Sequence, residues 1–243
     1  MTDLEQLAAR LLVVGFPGPG PDDEIERLID RGILGVVLFS RNVGTPRDVL
    51  ELTTRLKRRA ARPFLVSIDQ EGGKVARLRN GFTPLPAFRA LGETRDAELA
   101  RELGAVIGRE LAAVGIDWNY APVLDVDTNP DNPVIGERSL AREPELVARL
   151  GVAFAEGLGA SGVAACAKHF PGHGDTRQDS HFALPRLPHS TERRREVELV
   201  PFVAAVGAGI PSIMTAHIVF EALEPDLPAT MSRHVVGELL RGR

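Results

Sequence analysis

One cysteine, one tryptophan and one tyrosine stand among 243 residues. A lone Cys166 closes no internal disulfide, which excludes a disulfide-stapled fold. Long apolar runs are missing as well. The longest, Ile33 to Phe39 (ILGVVLF), falls well short of the ~20 residues a membrane helix needs. Positive charge is not in excess: Lys and Arg number 29 against 33 Asp and Glu, a net charge of −4. No chain-wide basic footprint for nucleic acid exists. Residues Met1 to Arg10 carry Asp3 and Glu5 and no basic stretch ahead of an apolar core, unlike a secretory signal. Low-complexity tracts and Gly/Ser linkers are absent too. These absences point to a cytoplasmic protein with neither nucleic acid nor membrane as partner.

What is present is an alternation. Apolar residues make up 44% and charged residues 26%, an ordinary globular balance. Six short apolar runs recur: Leu11 to Phe16, Ile33 to Phe39, Phe64 to Ile68, Ile116 to Val123, Val163 to Ala167 and Ser212 to Ala216. Runs without polar alternation suit strands buried on both faces of a parallel sheet. Amphipathic stretches lie between them. Ile25, Leu28 and Ile29 share a face that stops at Gly32, and Thr45 before Pro46 reads as a helix N-cap. Leu99, Leu103, Ile107 and Leu111 predict a helix face, as do Leu146, Leu150, Ala153, Phe154 and Leu158. Thr191 is expected to cap a helix carrying Val197, Val200 and Val203, and Ser232 a last one carrying Val235, Val236, Leu239 and Leu240.

Alternating strand and helix means an α/β fold. The long segments after several strands suit a (β/α)8 TIM-type barrel, whose active sites are built there. A doubly wound sheet is the runner-up, but Gly15, Gly18 and Gly20 are interleaved with prolines and make no dinucleotide fingerprint. A closed barrel has eight units; six are counted before the chain stops at Arg243. The expectation is one barrel domain over residues 1–243, truncated before strands seven and eight.

Chemistry-bearing residues gather after strand ends. Asp69-Gln70-Glu71-Gly72-Gly73-Lys74 follows the third run, and Asp125, Asp127, Asn129, Glu137 and Arg138 follow the fourth. The densest group follows the fifth: Lys168-His169-Phe170-Pro171-Gly172-His173-Gly174-Asp175, then Asp179-Ser180-His181. Three chemistries compete. His169, His173, Asp175 and His181 are candidate zinc ligands, although no HxH or HExxH pairing occurs. A phosphate cradle would need a P-loop, which is lacking. Glycoside hydrolysis with a histidine proton donor is the third, since the imidazole titrates near neutrality and the nearby Asp179 would orient its ring.

The stretch KHFPGHGDTRQDSH (Lys168 to His181) resembles the signature of family 3 glycoside hydrolases of the β-N-acetylglucosaminidase type. SIDQEGGKVARL (Ser67 to Leu78), NYAPVLDV (Asn119 to Val126), IGERSL (Ile135 to Leu140), MTAHIVF (Met214 to Phe220) and PATMS (Pro228 to Ser232) resemble the same family in the same order. The resemblance implies a barrel and retaining hydrolysis of a terminal β-linked N-acetylglucosamine, with peptidoglycan fragments as a source and no cofactor or metal. It makes His181 the general acid/base and Asp179 its dyad partner, in place of the usual carboxylic acid. It makes Asp69, Arg77, Arg138, Lys168 and His169 substrate-binding residues. Lys74 stands where the family often carries arginine.

Single residues also have competing structural roles. Capping a turn is the competing role for Asp69 and a surface ion pair for Arg138; His173 and Asp175 are loop-shaping candidates, and His217 stays open. Cys166 reads as a small buried hydrophobe, Trp118 as core, and Arg193-Arg194-Arg195 as a solvated helix face. The resemblance also calls for a nucleophilic Asp after a seventh strand, and no residue here matches it. The readings are a truncated enzyme, a half completed by another polypeptide, or a non-catalytic sugar-binding fragment. Open barrel edges are expected to drive self-association.

Overall fold

The computed structural model describes residues 2–179 and 182–242. All six apolar runs become strands: β1 (Val13–Val14), β2 (Gly35–Leu38), β3 (Leu65–Ile68), β4 (Trp118–Asn119), β5 (Ala164–Phe170) and β6 (Ser212–Thr215). They form one sheet in chain order, every neighbouring pair parallel. Leu38 lies opposite Ile68, Ile68 opposite Asn119, and Trp118 opposite Ala164. A parallel sheet ordered this way, with helices on its crossovers, curls into a barrel wall. Six staves of a (β/α) barrel are thus in place, with β1 and β6 at the two edges. Val36, Leu38, Val66 and Ile68 are fully buried, as unalternating runs predict.

Helices return the chain between strands. They are α1 (Asp3–Ala9), α2 (Asp23–Asp30), α3 (Pro46–Ala60), α4 (Phe88–Thr94), α5 (Ala97–Ala113), α6 (Pro144–Ala160), α7 (Thr191–Glu196) and α8 (Val200–Gly207); a π-helical segment spans His234–Gly242. Two expected caps are in place. Thr45 Oγ1 accepts from Asp48 N at 3.3 Å, and Ser232 Oγ accepts from Val235 N at 3.1 Å. No helix among the described residues is long and apolar enough to cross a membrane.

Three expectations are corrected. Ser190, not Thr191, caps the helix after β5, its Oγ accepting from Arg193 N at 3.2 Å. That helix ends at Glu196 and a new one starts at Val200, because Pro201 has no N–H to give and is tolerated only in a first turn. Val203 is consequently 69% exposed. The arginine run is not a solvated face throughout: Arg194 is fully buried, 4.4 Å over the Phe220 ring, and donates to Leu187 O at 3.3 Å. Burial pushes its pKa down to about 10.

The third correction concerns α5. Leu99 is 41% exposed, and the buried face is Ala100, Gly104, Ile107, Gly108 and Leu111. Alpha-carbon backbones touch here. A Cβ on Gly157 of α6 would lie 2.1 Å from Arg101 O, and one on Gly104 would lie 2.2 Å from Phe154 O. Small residues let these two helices approach, so Ile107 and Leu111 of the expected face are buried but Leu99 is not, and Ala100, Gly104 and Gly108 take its place at the contact.

Candidate active site

The first polar element after β3 is a short antiparallel pair, Gln70–Gly72 with Val75–Ala76. Gln70 fastens it. Its Oε1 accepts from Arg77 N at 2.9 Å and Leu78 N at 3.0 Å, while its amide nitrogen donates to Leu78 O. Asn119 of β4 exchanges two further bonds with the Gln70 backbone, both at 2.9 Å. This fixes Asp69 and Glu71 on either side of Gln70 at the end of the barrel wall.

Lys168 reaches both from β5. Its Nζ donates to Asp69 Oδ1 at 2.7 Å and lies 2.5 Å from Glu71 Oε1. Arg77 Nη2 donates to Asp69 Oδ2 at 3.4 Å. Arg138 grips Glu71 with both arms of its fork, Nη2 to Oε1 at 2.8 Å and Nε to Oε2 at 2.9 Å. Arg138 is therefore a half-buried pair, not a surface one, and among the described residues Asp69 pairs with Lys168 and Arg77 rather than capping a turn. Burial works against the ionised form of Asp69 and Glu71, but Lys168 and the arginines outweigh it and hold both carboxyls below their ordinary range. Burial likewise opposes the Lys168 ammonium, and Glu71 with Asp69 reverses the balance and raises its pKa.

A second buried carboxylate organises the loop after β5. Asp125 is fully buried. Its Oδ2 meets His169 Nδ1 at 2.6 Å, and its Oδ1 accepts from the backbone N–H of His173 at 2.7 Å and of His169 at 3.2 Å. Burial would raise its pKa, but His169 and His173 outweigh that and lower it. An ionised carboxylate only accepts, so His169 carries its proton on Nδ1 and Nε2 is the nitrogen left for a ligand. His173 packs edge-to-face on His169, with ring centroids 5.6 Å apart, and burial lowers its pKa. The peptide bonds Lys168–His169 and Phe170–Pro171 are cis.

The loop after β4 braces the same turn. Asn132 donates to His173 O at 2.9 Å, and Asn129 donates to Thr176 O at 3.1 Å. Gly174 must be glycine, because a Cβ there would lie 1.8 Å from Val126 O. Asp175 pairs with His189 further along. Asp179 is half-buried on this loop; His181, the expected acid/base, lies outside the described residues.

The result is a cavity of about 470 Å³. Asp69, Arg77, Arg138, Lys168 and His169 all line it, so five of the seven expected site residues converge. His173, Tyr120 and His217 line it as well. His217, left open above, is exposed, its Nδ1 2.9 Å from Thr230 Oγ1. Lys74 points elsewhere, pairing with Glu137 at 3.1 Å on the exposed surface. A larger hollow of about 690 Å³ between Phe170, Phe202 and Leu240 is apolar and gathers no comparable set of charges. Gln70, Glu71, Asn119 and Asp125 escaped the expected site. Gln70, Glu71 and Asp125 stood in polar runs after strands and Asn119 inside the fourth apolar run, but only their folded contacts single them out. Trp118 donates to Ser212 Oγ at 2.8 Å inside the sheet, and Cys166 is buried with its thiol pushed up to about 11.

Residues 3–243 match the glycosyl hydrolase family 3 N terminal domain. The chain belongs to glycosyl hydrolase family 3. Within that family it is 41% identical over 238 residues to the beta-hexosaminidase of Alkalilimnicola ehrlichii, covering 95% of this chain and 68% of the relative. A family 3 β-N-acetylglucosaminidase from Paenibacillus sp. superposes with a TM-score of 0.97 at 48% identity, over 100% of this chain and 47% of that one. NagZ from Neisseria gonorrhoeae superposes with a TM-score of 0.89 at 36% identity, over 95% and 69%. The chain thus spans about two thirds of the bacterial hexosaminidase and less than half of the Paenibacillus enzyme. The (β/α) barrel of family 3 agrees with the six staves described above.

Proposed function

We propose that this chain supplies the sugar-binding wall and the acid/base loop of a retaining β-N-acetylglucosaminidase acting on terminal non-reducing residues. One observation carries the reading: Asp69 lies beneath the cavity with its two oxygens shared between Lys168 and Arg77, 2.7 and 3.4 Å away. A carboxylate flanked by two cations accepts from sugar hydroxyls while the cations donate to others, which is how a neutral, hydroxyl-rich ligand is held. His169, its Nδ1 occupied by Asp125, adds one more directed group. The relatives' names supply the sugar.

In this reading His181 protonates the leaving oxygen and then deprotonates water, with Asp179 orienting it. Retention also requires a nucleophile. Asp69, the cavity's carboxylate among the described residues, is tied to two cations and serves as a binder. Peptidoglycan fragments are the proposed natural source, the cytoplasm the proposed compartment, and residues 1–243 one barrel domain.

The test is release of nitrophenol from 4-nitrophenyl N-acetyl-β-glucosaminide, run beside a titration with N-acetylglucosamine. The expected result is sugar binding by this chain, with turnover by a chain as long as its relatives. Steady turnover by the 243 residues alone would place a nucleophile within them or in the substrate's own acetamido group. Absence of binding to this sugar would overturn the reading, and loss of turnover on adding a chelator would favour a metal hydrolase.

A further inference from the structure

Glu71 is a charged group of the site that a ligand in the cavity does not meet. Glu71 is 2% exposed. Both its oxygens are already taken, Oε1 by Lys168 and Arg138 and Oε2 by Arg138. It also does not line the cavity, whereas Lys168 and Arg138 do.

Charge explains what it does there. Arg77, Arg138 and Lys168 place three cations against two carboxylates, Asp69 and Glu71. Lys168 and Arg138 are both drawn to the same carboxylate, 2.5 and 2.8 Å from its Oε1. Remove that charge and two like charges face each other in a poorly solvated pocket, a costly arrangement. Asp69 would then be the sole counter-ion of Lys168, pulled out of its balance with Arg77. The residue is rigidly delivered, because Gln70 beside it is bonded to Asn119 of β4 and to the Arg77 and Leu78 backbone.

We propose that Glu71 is a positioning residue of the sugar pocket: without touching the sugar, it holds Lys168 and Arg138 in the arrangement that binds N-acetylglucosamine. This rests on the function proposed above. The effect passes through the two cations and leaves Asp69 free to share its oxygens with the ligand. The charged and titratable groups around the pair are Asp69, Arg77, Asp125, Cys166, His169 and His173.

The experiment compares the protein with Glu71→Gln and Glu71→Asp, measuring affinity for N-acetylglucosamine across pH together with the melting temperature. Glu71→Gln is expected to weaken binding about tenfold or more. It should also move the alkaline loss of binding to lower pH, since Lys168 loses an anion that favours its ammonium form. Glu71→Asp keeps the charge on a shorter arm and should fall between, about three- to fivefold weaker. A merely structural residue would lower the melting temperature and leave affinity and its pH limb where they were, which overturns the proposal. Should Glu71→Gln not fold, Glu71→Asp decides: wild-type affinity overturns, the intermediate loss supports. If the unaltered protein does not bind the sugar, the proposed function is what has failed, and the comparison of variants is not needed to see it.

Discussion

Lys168 Nζ and Asp69 Oδ1 stand 2.7 Å apart although 99 residues separate them in the chain. Lys168 is 2% exposed, so this is an ion pair inside the protein, at the ends of β3 and β5. Such a pair adds little net stability, because desolvation offsets much of the attraction. Its value is geometric: it aims a carboxylate and an ammonium into one cavity.

Asp69→Asn tests that geometry. The amide keeps the shape but loses the charge that Lys168 and Arg77 share. Affinity for N-acetylglucosamine is expected to fall about tenfold or more, since charge-assisted hydrogen bonds are roughly twice as strong as neutral ones. Titration calorimetry reads it. An affinity equal to that of the unaltered protein would remove Asp69 from the binding set.

His181→Ala and Asp179→Ala test the acid/base loop, in a chain that turns over. Losing a general acid costs about 10²–10⁴ in rate. Turnover should fall by that order for His181→Ala, with KM little changed. Asp179→Ala should cost less, because the histidine remains but is poorly oriented. Steady-state kinetics on a substrate with a poor leaving group checks both, and undiminished turnover would withdraw His181 from its role.

The pH dependence of stability follows from the buried charges. Asp69, Glu71 and Asp125 have folded pKa values below their unfolded ones. Their contribution is present above about pH 4 and is lost as pH falls through the folded values. His173, lowered by burial, adds an earlier loss that begins below about pH 6.5. Lys168 has the opposite sign: its raised value gives a contribution intact below about pH 10.4 and lost as pH climbs through the folded pKa. The melting temperature should therefore decline below about pH 6.5 and drop steeply below about pH 4; on the alkaline side it should hold to about pH 8.5, above which the Cys166 thiol, held neutral by burial to about 11, begins to ionise in the unfolded chain. Asp125→Asn should flatten part of the acid decline. Thermal melts over pH that show equal slopes for both proteins would contradict this.

Gly157→Ala probes the α5–α6 contact. Its methyl would meet the Arg101 carbonyl at 2.1 Å, against backbone that cannot swing away. Overpacking of this kind costs about 2–3 kcal/mol, equivalent to roughly 5–10 °C in melting temperature for a chain of this size. Calorimetry reads the shift. Gly159→Ala on the same helix, with nothing within 4 Å of the added carbon, is the control and should be neutral or mildly stabilising.

Local sequence determined the elements. Continuous apolar runs had to be buried on both faces, so six strands and their parallel order were legible from Ile33 to Phe39 and its counterparts. Thr45-Pro46 marked a helix start because capping is satisfied within four residues. Asp69, Arg77, Arg138, Lys168 and His169 could be named because polar groups at strand ends have no core to join, and the motifs around them resemble a known family. Tertiary structure alone decided what depends on distant partners. Arg194 lies in a run of three arginines, yet Phe220 and Leu187 O bury it from other parts of the chain. Leu99 fits a helical period, but the glycines of α5 and α6 turn that helix's contact face elsewhere. Glu71 and Asp125 looked like any acidic residue near a strand end. Only the folded sheet places one beneath Lys168 and Arg138 and the other beneath His169 and His173. Pairing across such separations depends on where strands end in space, which no local pattern records.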